Sequence, residues 1–367
     1  MYIYEHKKWP KFQWDHARLA ELLADVRYKQ GRLLGWMDGI GFQLREEATL
    51  ATLTQDVIKT SEIEGEKLDT EQVRSSIAKK LGMDIGAARQ IDRHVDGIVE
   101  IMLDATCHYN APLTEERLFG WHAALFPTGR SGFQRIHVGS WRTKESGPMQ
   151  VVSGPYGREK VHYEAPDYSR LKKEISVFLK WFNHSQEIDL VIKSALAHFW
   201  FVTIHPFDDG NGRIARAMAD MLLARSENSR QRFYSMSAQI QCERNEYYQV
   251  LENCQKGSLD ITEWLEWYLR CLQHAIVASN LVLQTVLTKA AFWRAHSGES
   301  FNERQRMLIN RLLDGFEGKL NSSKWAKIAK CSQDTALRDI TDLLGRKVLL
   351  KDEGGGRSTS YKLCLPD

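Results

Sequence analysis

One short stretch brings together a base, a carboxylate, two glycines and two guanidiniums: His205-Pro206-Phe207-Asp208-Asp209-Gly210-Asn211-Gly212-Arg213-Ile214-Ala215-Arg216. His205 can take up a proton near neutral pH, since an unperturbed imidazole titrates at about 6.5. Asp209 offers a hard carboxylate oxygen, which suits Mg²⁺ when phosphates share the metal's shell. Pro206 favours ending the upstream helix near His205. Gly210 and Gly212 let the backbone come close to a ligand. The free peptide N–H groups and the dipole at the start of the next helix suit a phosphate chain. Arg213 and Arg216 lie three apart on one helix face, so both can reach the same polyanion. This set serves phosphoryl-type or nucleotidyl-type transfer, where positioning and charge neutralisation dominate. Each part alone reads as a turn or a helix end; the chemistry lies in their joint occurrence. Counting from Asp209, the fifth and sixth positions are Arg213 and Ile214, which excludes an EF-hand calcium loop. Gly-x-x-x-x-Gly-Lys-Ser/Thr and His-Glu-x-x-His are both absent, so P-loop and zincin mechanisms have no support.

The elements that must position this stretch are mostly helical. Apolar spacing predicts helices over 14–34, 44–61, 69–81, 88–106, 115–125, 168–183, 189–203, 211–225, 244–255 and 261–296. Gly31 and Gly35 read as the end of the first, and Asp69 or Thr70 as the cap of the third, with Gly82 as its stop. The Gly- and Pro-rich span 127–166 breaks the pattern, with β-type runs at 149–152 and 160–163 around 153–157. It reads as a hairpin on an otherwise helical protein. After a linker at 296–300 come three short helices, 303–313, 323–330 and 332–344. Strands at 348–350 and 359–363 then flank the turn 354–357. Three helices and a Gly-tipped hairpin describe a winged helix-turn-helix. The fold class is mainly α.

Composition agrees with a globular protein: 367 residues, 43% hydrophobic, 26% charged and 10% aromatic. No run of about 18 apolar residues suggests a membrane span, and the opening residues lack an apolar signal core. Six cysteines at 107, 242, 254, 271, 331 and 364 form no Cys-x-x-Cys pair. Neither a zinc ribbon nor a disulfide framework is supported, and a reducing cytoplasm is the simplest location. Residues 301–367 carry 13 Lys and Arg against 9 Asp and Glu, in a chain of net charge +3. This basic excess hints at a nucleic-acid or acidic partner for that segment.

Residues 205–216 resemble the signature of the Fic family, His-Pro-Phe-x-Asp-Gly-Asn-Gly-Arg-x-x-Arg, with every fixed position filled. Fic proteins are mostly protein adenylyltransferases, which move AMP from ATP to a hydroxyl of a target protein. The resemblance implies that His205 deprotonates a Ser, Thr or Tyr hydroxyl. It further implies that Asp209 holds Mg²⁺ against the α- and β-phosphates, that Gly210, Asn211 and Gly212 cradle the phosphates with Arg213, and that Arg216 meets the γ-phosphate. The hairpin carrying Val161 and His162 is similar to the family's flap, which lies over ATP and aligns the target by strand addition. Tyr247 and Tyr248 match a Tyr pair lining the adenine pocket, and Gln255 falls where some relatives place Asn. Aromatic faces hold a purine by stacking, worth about 1–3 kcal/mol per base; core tyrosines on an amphipathic helix are the plain alternative.

Upstream, Thr60-Ser61-Glu62-Ile63-Glu64-Gly65 resembles the family's inhibitory motif, Ser/Thr-x-x-x-Glu-Gly/Asn. Glu64 would pair with Arg216 and take the room of the γ-phosphate, leaving ATP a non-productive pose. Some relatives with this brake also remove AMP, and the resemblance leaves deAMPylation open here. The start, with Tyr2-Ile3-Tyr4-Glu5 and Trp9-Pro10, looks like an N-terminal module of bacterial Fic proteins. The expected organisation is a helical module over 1–85 with an inhibitory helix near 45–65, a catalytic core over 86–296, and a winged helix over 301–367. Thr335, Arg338, Lys347 and the wing-tip Arg357 are the candidates for DNA or protein contact. Relatives often dimerise, so a homodimer is a further expectation. The alternative function is a DNA-binding regulator that uses the Fic core as an ATP sensor.

Overall fold

The computed structural model describes residues 1–39, 41–83, 91–154, 158, 160–184, 187–316, 318–352 and 359–365. The chain divides into two compact units, one of residues 1–41 and 45–279, the other of residues 42–44 and 280–367. In chain order the helices are α1 His16–Gly39, α2 Phe42–Ile63, α3 Thr70–Leu81, α4 Arg93–Cys107, α5 Glu115–Leu125, α6 Leu171–His184, α7 Leu190–Ile204, α8 Asn211–Glu227, α9 Met236–Cys242, α10 Arg244–Gln255 and α11 Thr262–Ala295. α12 Glu303–Leu313, α13 Ser322–Ala329 and α14 Gln333–Gly345 follow. Among the described residues three antiparallel pairs complete the fold: β1 Arg130–Ser131 with β2 Gln134–Arg135, β3 Gln150–Ser153 with β4 Lys160–Glu164, and β5 Leu349–Lys351 with β6 Tyr361–Leu363. The protein is mainly α.

The first unit is built around α7. Every residue of that helix from Val191 to Ile204 is buried, as expected for a helix apolar on all sides. α8 packs along it and buries Ile214, Ala215, Met218, Met221 and Leu222. α4 meets α5 at close range because Gly97 has no side chain; a Cβ there would collide with the Ala124 carbonyl. α2 buries Leu50, Leu53, Val57 and Ile63. Asp56 of α2 also accepts bonds from the Ser235 hydroxyl and the Ser237 N–H at the start of α9. α2 is therefore tied down as core as far as Ile63, and Glu64 and Gly65 beyond it are exposed.

The second unit has its own core of Phe292, Leu308, Ile309, Trp325, Ala336, Ile340, Leu343 and Val348. Its element order is three helices followed by an antiparallel pair.

Several expectations change. α1 runs through Gly31 and Gly35 to Gly39, because Leu33 and Met37 remain buried on its inner face. α9 and the β1–β2 pair come from stretches without clear periodicity. The boundary between units falls inside α11, at Ser279, ahead of the expected linker at 296–300, since Phe292 is already part of the second core. α11 is long and apolar enough to cross a membrane by length and composition, where the sequence suggested no such span. Its first turns are core, with Trp264, Leu265, Tyr268, Leu269 and Cys271 fully buried. The 85/86 boundary, the hairpin tip 155–157 and Arg357 lie outside the described residues.

Candidate active site at the mouth of α8

α7 ends where Pro206 ends it. His205 is the cap residue, in the left-handed conformation at φ 51° and ψ 59°, and its N–H still bonds the Phe201 carbonyl at 2.9 Å. Its Nδ1–H donates to the Val202 carbonyl at 3.1 Å. A carbonyl accepts only, so Nδ1 carries the proton and Nε2 keeps its lone pair. Burial lowers the imidazole below its ordinary pKa, although the Val202 bond opposes this. His205 is therefore a neutral base near neutral pH.

The loop that follows is held from inside. The Asn211 side chain accepts from the Phe207 N–H at 3.0 Å and donates to the Phe207 carbonyl at 2.9 Å. Both of its polar groups thus clamp the loop, and the side chain is directed into the protein. The Phe207 ring stacks on His122, with centroids 4.2 Å apart. His122 Nε2–H donates to the Asp209 carbonyl at 3.2 Å, and Nδ1 accepts the Gly139 N–H at 3.2 Å. Burial pushes His122 down to about 4, and it stays neutral. Gly210 turns the chain at φ 80°, a conformation that favours glycine. The first backbone bond of α8 runs from Ile214 N–H to the Gly210 carbonyl at 3.0 Å. The N–H groups of Asn211, Gly212 and Arg213 consequently project from the helix end, as an anion site requires.

The two acidic residues of the loop differ. Asp208 accepts from the His137 N–H at 2.9 Å, the His137 ring at 2.8 Å and the Ser146 hydroxyl at 2.6 Å. It anchors the 137–146 segment. Asp209 is half-buried and accepts from the Ser131 hydroxyl and from the Gly210 N–H at 2.5 Å. Among the described residues no cluster of three or more His, Cys, Asp or Glu could hold a metal. A single carboxylate beside a helix N-terminus fits Mg²⁺ that arrives with phosphates, since that ion needs only one or two protein carboxylates.

The α2 segment meets both arginines of the signature. Arg216 is 2% exposed. It donates to the Thr60 hydroxyl at 2.7 Å, to the Thr60 carbonyl at 3.0 Å and to Glu64 Oε1 at 2.6 Å. The same Glu64 oxygen lies against Gly212, where a Cβ could not fit beside it. Gly65 turns the chain at φ 83°, and Glu66 then reaches Arg213 at 2.9 Å. His94 of α4 bonds the same Glu66 oxygen at 3.2 Å. Burial alone would raise the Glu66 carboxyl, but the His94 bond and the Arg213 charge outweigh it and hold it low. The Glu66 bond in turn raises His94.

The flap and the tyrosine pair lie on α10 or are tied to it. His162 of β4 bonds Glu252 at 2.6 Å and the Ser153 hydroxyl at 2.5 Å, while Val161 stands exposed. Tyr247 is buried, with its hydroxyl 3.0 Å from His198 Nε2. Tyr248 is the accessible member, 37% exposed, with Arg244 over its ring. Arg244 also donates to the Ile63 carbonyl at 3.2 Å, next to Glu64. Gln255 is buried and donates to the Thr203 hydroxyl at 3.3 Å. Tyr247 and Gln255 are thus core side chains, and of the three only Tyr248 is exposed. Sequence reasoning missed Glu66, His94, His122 and Arg142. Only the position of Glu66, two residues past Glu64, could have drawn notice; the other three lie far from the signature in sequence.

Residues 112–223 match the Fic/DOC family, and residues 2–83 match a domain of unknown function, DUF4172. The signature 205–216 lies inside the Fic/DOC match. The chain is 28% identical over 229 residues to a protein adenylyltransferase Fic of Culex quinquefasciatus, covering 60% of this chain and 40% of that protein. A protein adenylyltransferase Fic of Nematostella vectensis is 34% identical over 110 residues, covering 29% and 24%. A uridine 5'-monophosphate transferase of Xanthomonas campestris is 31% identical over 123 residues, covering 31% and 22%. The chain spans less than half the length of these relatives. Among solved structures, a Fic family protein from Desulfovibrio desulfuricans covers 94% of this chain and 95% of its own, at TM-score 0.50 and 20% identity. A Fic domain containing signaling protein from Bacteroides thetaiotaomicron covers 76% and 100%, at TM-score 0.53 and 17% identity. These likenesses concern the fold.

Proposed function

We propose that this chain transfers AMP from ATP to a hydroxyl of a target protein, and that it is held back by its own α2 segment. The single observation that carries the reading is the Glu64 carboxylate on Arg216 and against Gly212. An acidic group of the chain itself lies where the helix end and its arginine would receive a phosphate. In the transfer, Nε2 of His205 takes the hydroxyl proton and the hydroxyl oxygen bonds the α-phosphorus. The bond from the α-phosphorus to the bridging oxygen breaks, and pyrophosphate leaves. The N–H groups of Asn211, Gly212 and Arg213, with the Arg213 and Arg216 side chains, bind the phosphates. Asp209 would hold Mg²⁺, which neutralises phosphate charge when bound. Tyr248 offers its face to the base, and the free edges of the β3–β4 pair suit strand addition by the target.

Inhibition in this reading uses both carboxylates, Glu64 on Arg216 and Glu66 on Arg213. For ATP to bind productively, both guanidiniums must exchange a carboxylate for phosphate oxygens. DeAMPylation by the same site belongs to the proposal only through Glu64, whose carboxylate is near enough to the helix end to orient water. The six cysteines are free thiols, which supports the cytoplasmic expectation. In the second unit Arg338 and Leu337 of α14 are exposed, together with Asp334. That mixed face favours a protein partner over DNA.

Incubation with α-labelled and γ-labelled ATP, and with α-labelled UTP, tests the reading. Protein label from the α position of ATP only, lost in His205→Ala, is the expected result. Label from UTP alone would assign a different nucleotide. No label even in Glu64→Gly, alongside tight sequence-selective duplex binding, would replace the enzyme with a DNA-binding ATP sensor.

A further inference from the structure

Arg142 is 3% exposed, yet it forms no ion pair among the described residues. Asp167 and Asp208 act on it only through space. A buried guanidinium costs free energy unless its donors are satisfied. Here two of its five N–H groups are held by main-chain oxygens: Nε–H donates to the His205 carbonyl at 2.8 Å and a terminal N–H donates to the Pro166 carbonyl. The Arg142 backbone N–H adds a bond to the Pro206 carbonyl at 2.9 Å. These acceptors are not scattered. His205 and Pro206 form the turn that presents the imidazole, and His205 has φ 51°, outside the usual range for a residue with a side chain. Such a conformation persists only where its surroundings over-determine it. Pro166 follows β4, which ends at Glu164, so it marks the exit of the flap. One buried side chain thus joins the flap's exit to the peptide unit of the base.

We propose that Arg142 is a positioning residue that fixes the register between the flap and the His205 imidazole, and hence between the incoming hydroxyl and its base. The proposal rests on the transfer reading above. Arg142 donates to none of the residues assigned to the phosphates, so its role is in alignment and not in nucleotide affinity. A misplacement of about 1 Å between reacting groups costs about 100-fold in rate. A lysine can still donate to one or both carbonyls, whereas glutamine reaches less far and carries no charge.

The experiment uses the full chain with Glu64→Gly, so that the brake does not mask the effect. R142K and R142Q are added to it separately. Incorporation of α-labelled AMP gives kcat and KM, titration calorimetry with Mg-ATP gives Kd, and thermal melting reports folding. The expected result is a kcat lowered about 10- to 100-fold in R142Q and less in R142K, with Kd for Mg-ATP within about twofold of the parent. An unchanged kcat in either folded variant overturns the proposal, as does a loss of Mg-ATP affinity in proportion to kcat. If R142Q does not melt cooperatively, R142K decides by the same two criteria. The failures are distinguishable. A Glu64→Gly parent that takes up no label overturns the transfer reading and this proposal with it. A labelled parent indifferent to Arg142 substitution overturns this proposal alone.

Discussion

Glu64→Gly and Glu66→Gln separate the two carboxylates that meet the signature arginines. Glu64 bonds a guanidinium that is 2% exposed, while its own side chain is 31% exposed. A hydrogen bond to a charged group is worth about 1.5–3 kcal/mol. Removing it from the competition should raise transfer at limiting ATP by about 10- to 150-fold, at about 1.4 kcal/mol per decade. Glu66 is more open, 37% exposed, and divides its oxygen between Arg213 and His94. It sits closer to the surface-pair regime of about 0.2–1 kcal/mol, so Glu66→Gln alone should raise transfer about 1.5- to 5-fold. Arg213 and Arg216 lie three apart and would grip one triphosphate, so the double substitution should exceed the product of the single effects. Uptake of α-labelled AMP into the protein, followed across an ATP titration, reads all four chains. A Glu64→Gly chain no faster than the parent at limiting ATP would refute the brake. A Glu66→Gln effect larger than that of Glu64→Gly would refute the ranking drawn from exposure.

Three further outcomes follow from the geometry. His205→Ala, made in the Glu64→Gly chain, should lower label uptake by about 100- to 10,000-fold; retention of label would mean another group takes the proton. Gly97→Ala should cost about 1–3 kcal/mol, because its methyl would meet the Ala124 carbonyl and force α4 from α5; urea unfolding with an unchanged midpoint would contradict that close approach. His198 is fully buried, and burial, then the Arg216 charge, depresses it to about 3. Its folded pKa is below the unfolded value of about 6.5, so the unfolded chain binds the extra proton first. Stability from this group is complete above about pH 6.5 and falls by about 1.4 kcal/mol per unit as pH drops towards 3. His198→Phe should flatten that part of a stability–pH profile, provided the variant melts cooperatively; an unaltered slope would contradict the assignment.

The sequence by itself determined the helical class and the chemistry of the signature. Periodicity is local, so α3 and α10 could be read from spacing and punctuation alone. The base, the cations and the turn glycines share one twelve-residue span for the same reason. Glu64 was also legible, because its motif is contiguous. Only the tertiary structure decided which side chains face the ligand place and which hold the loop. The Asn211 side chain clamps Phe207 while its N–H stays at the open end of α8, a division set by the direction of the side chain at the first turn. Tyr247 and Tyr248 are adjacent and alike in sequence, yet one is core and the other open, because helix rotation sends them to different faces. Glu66, His94, His122 and Arg142 reach the site from the segment after α2, from α4, from α5 and from the loop before the flap. Nothing in a linear chain marks such convergence, because it depends on how buried surfaces pack and on which main-chain carbonyls are left needing a donor.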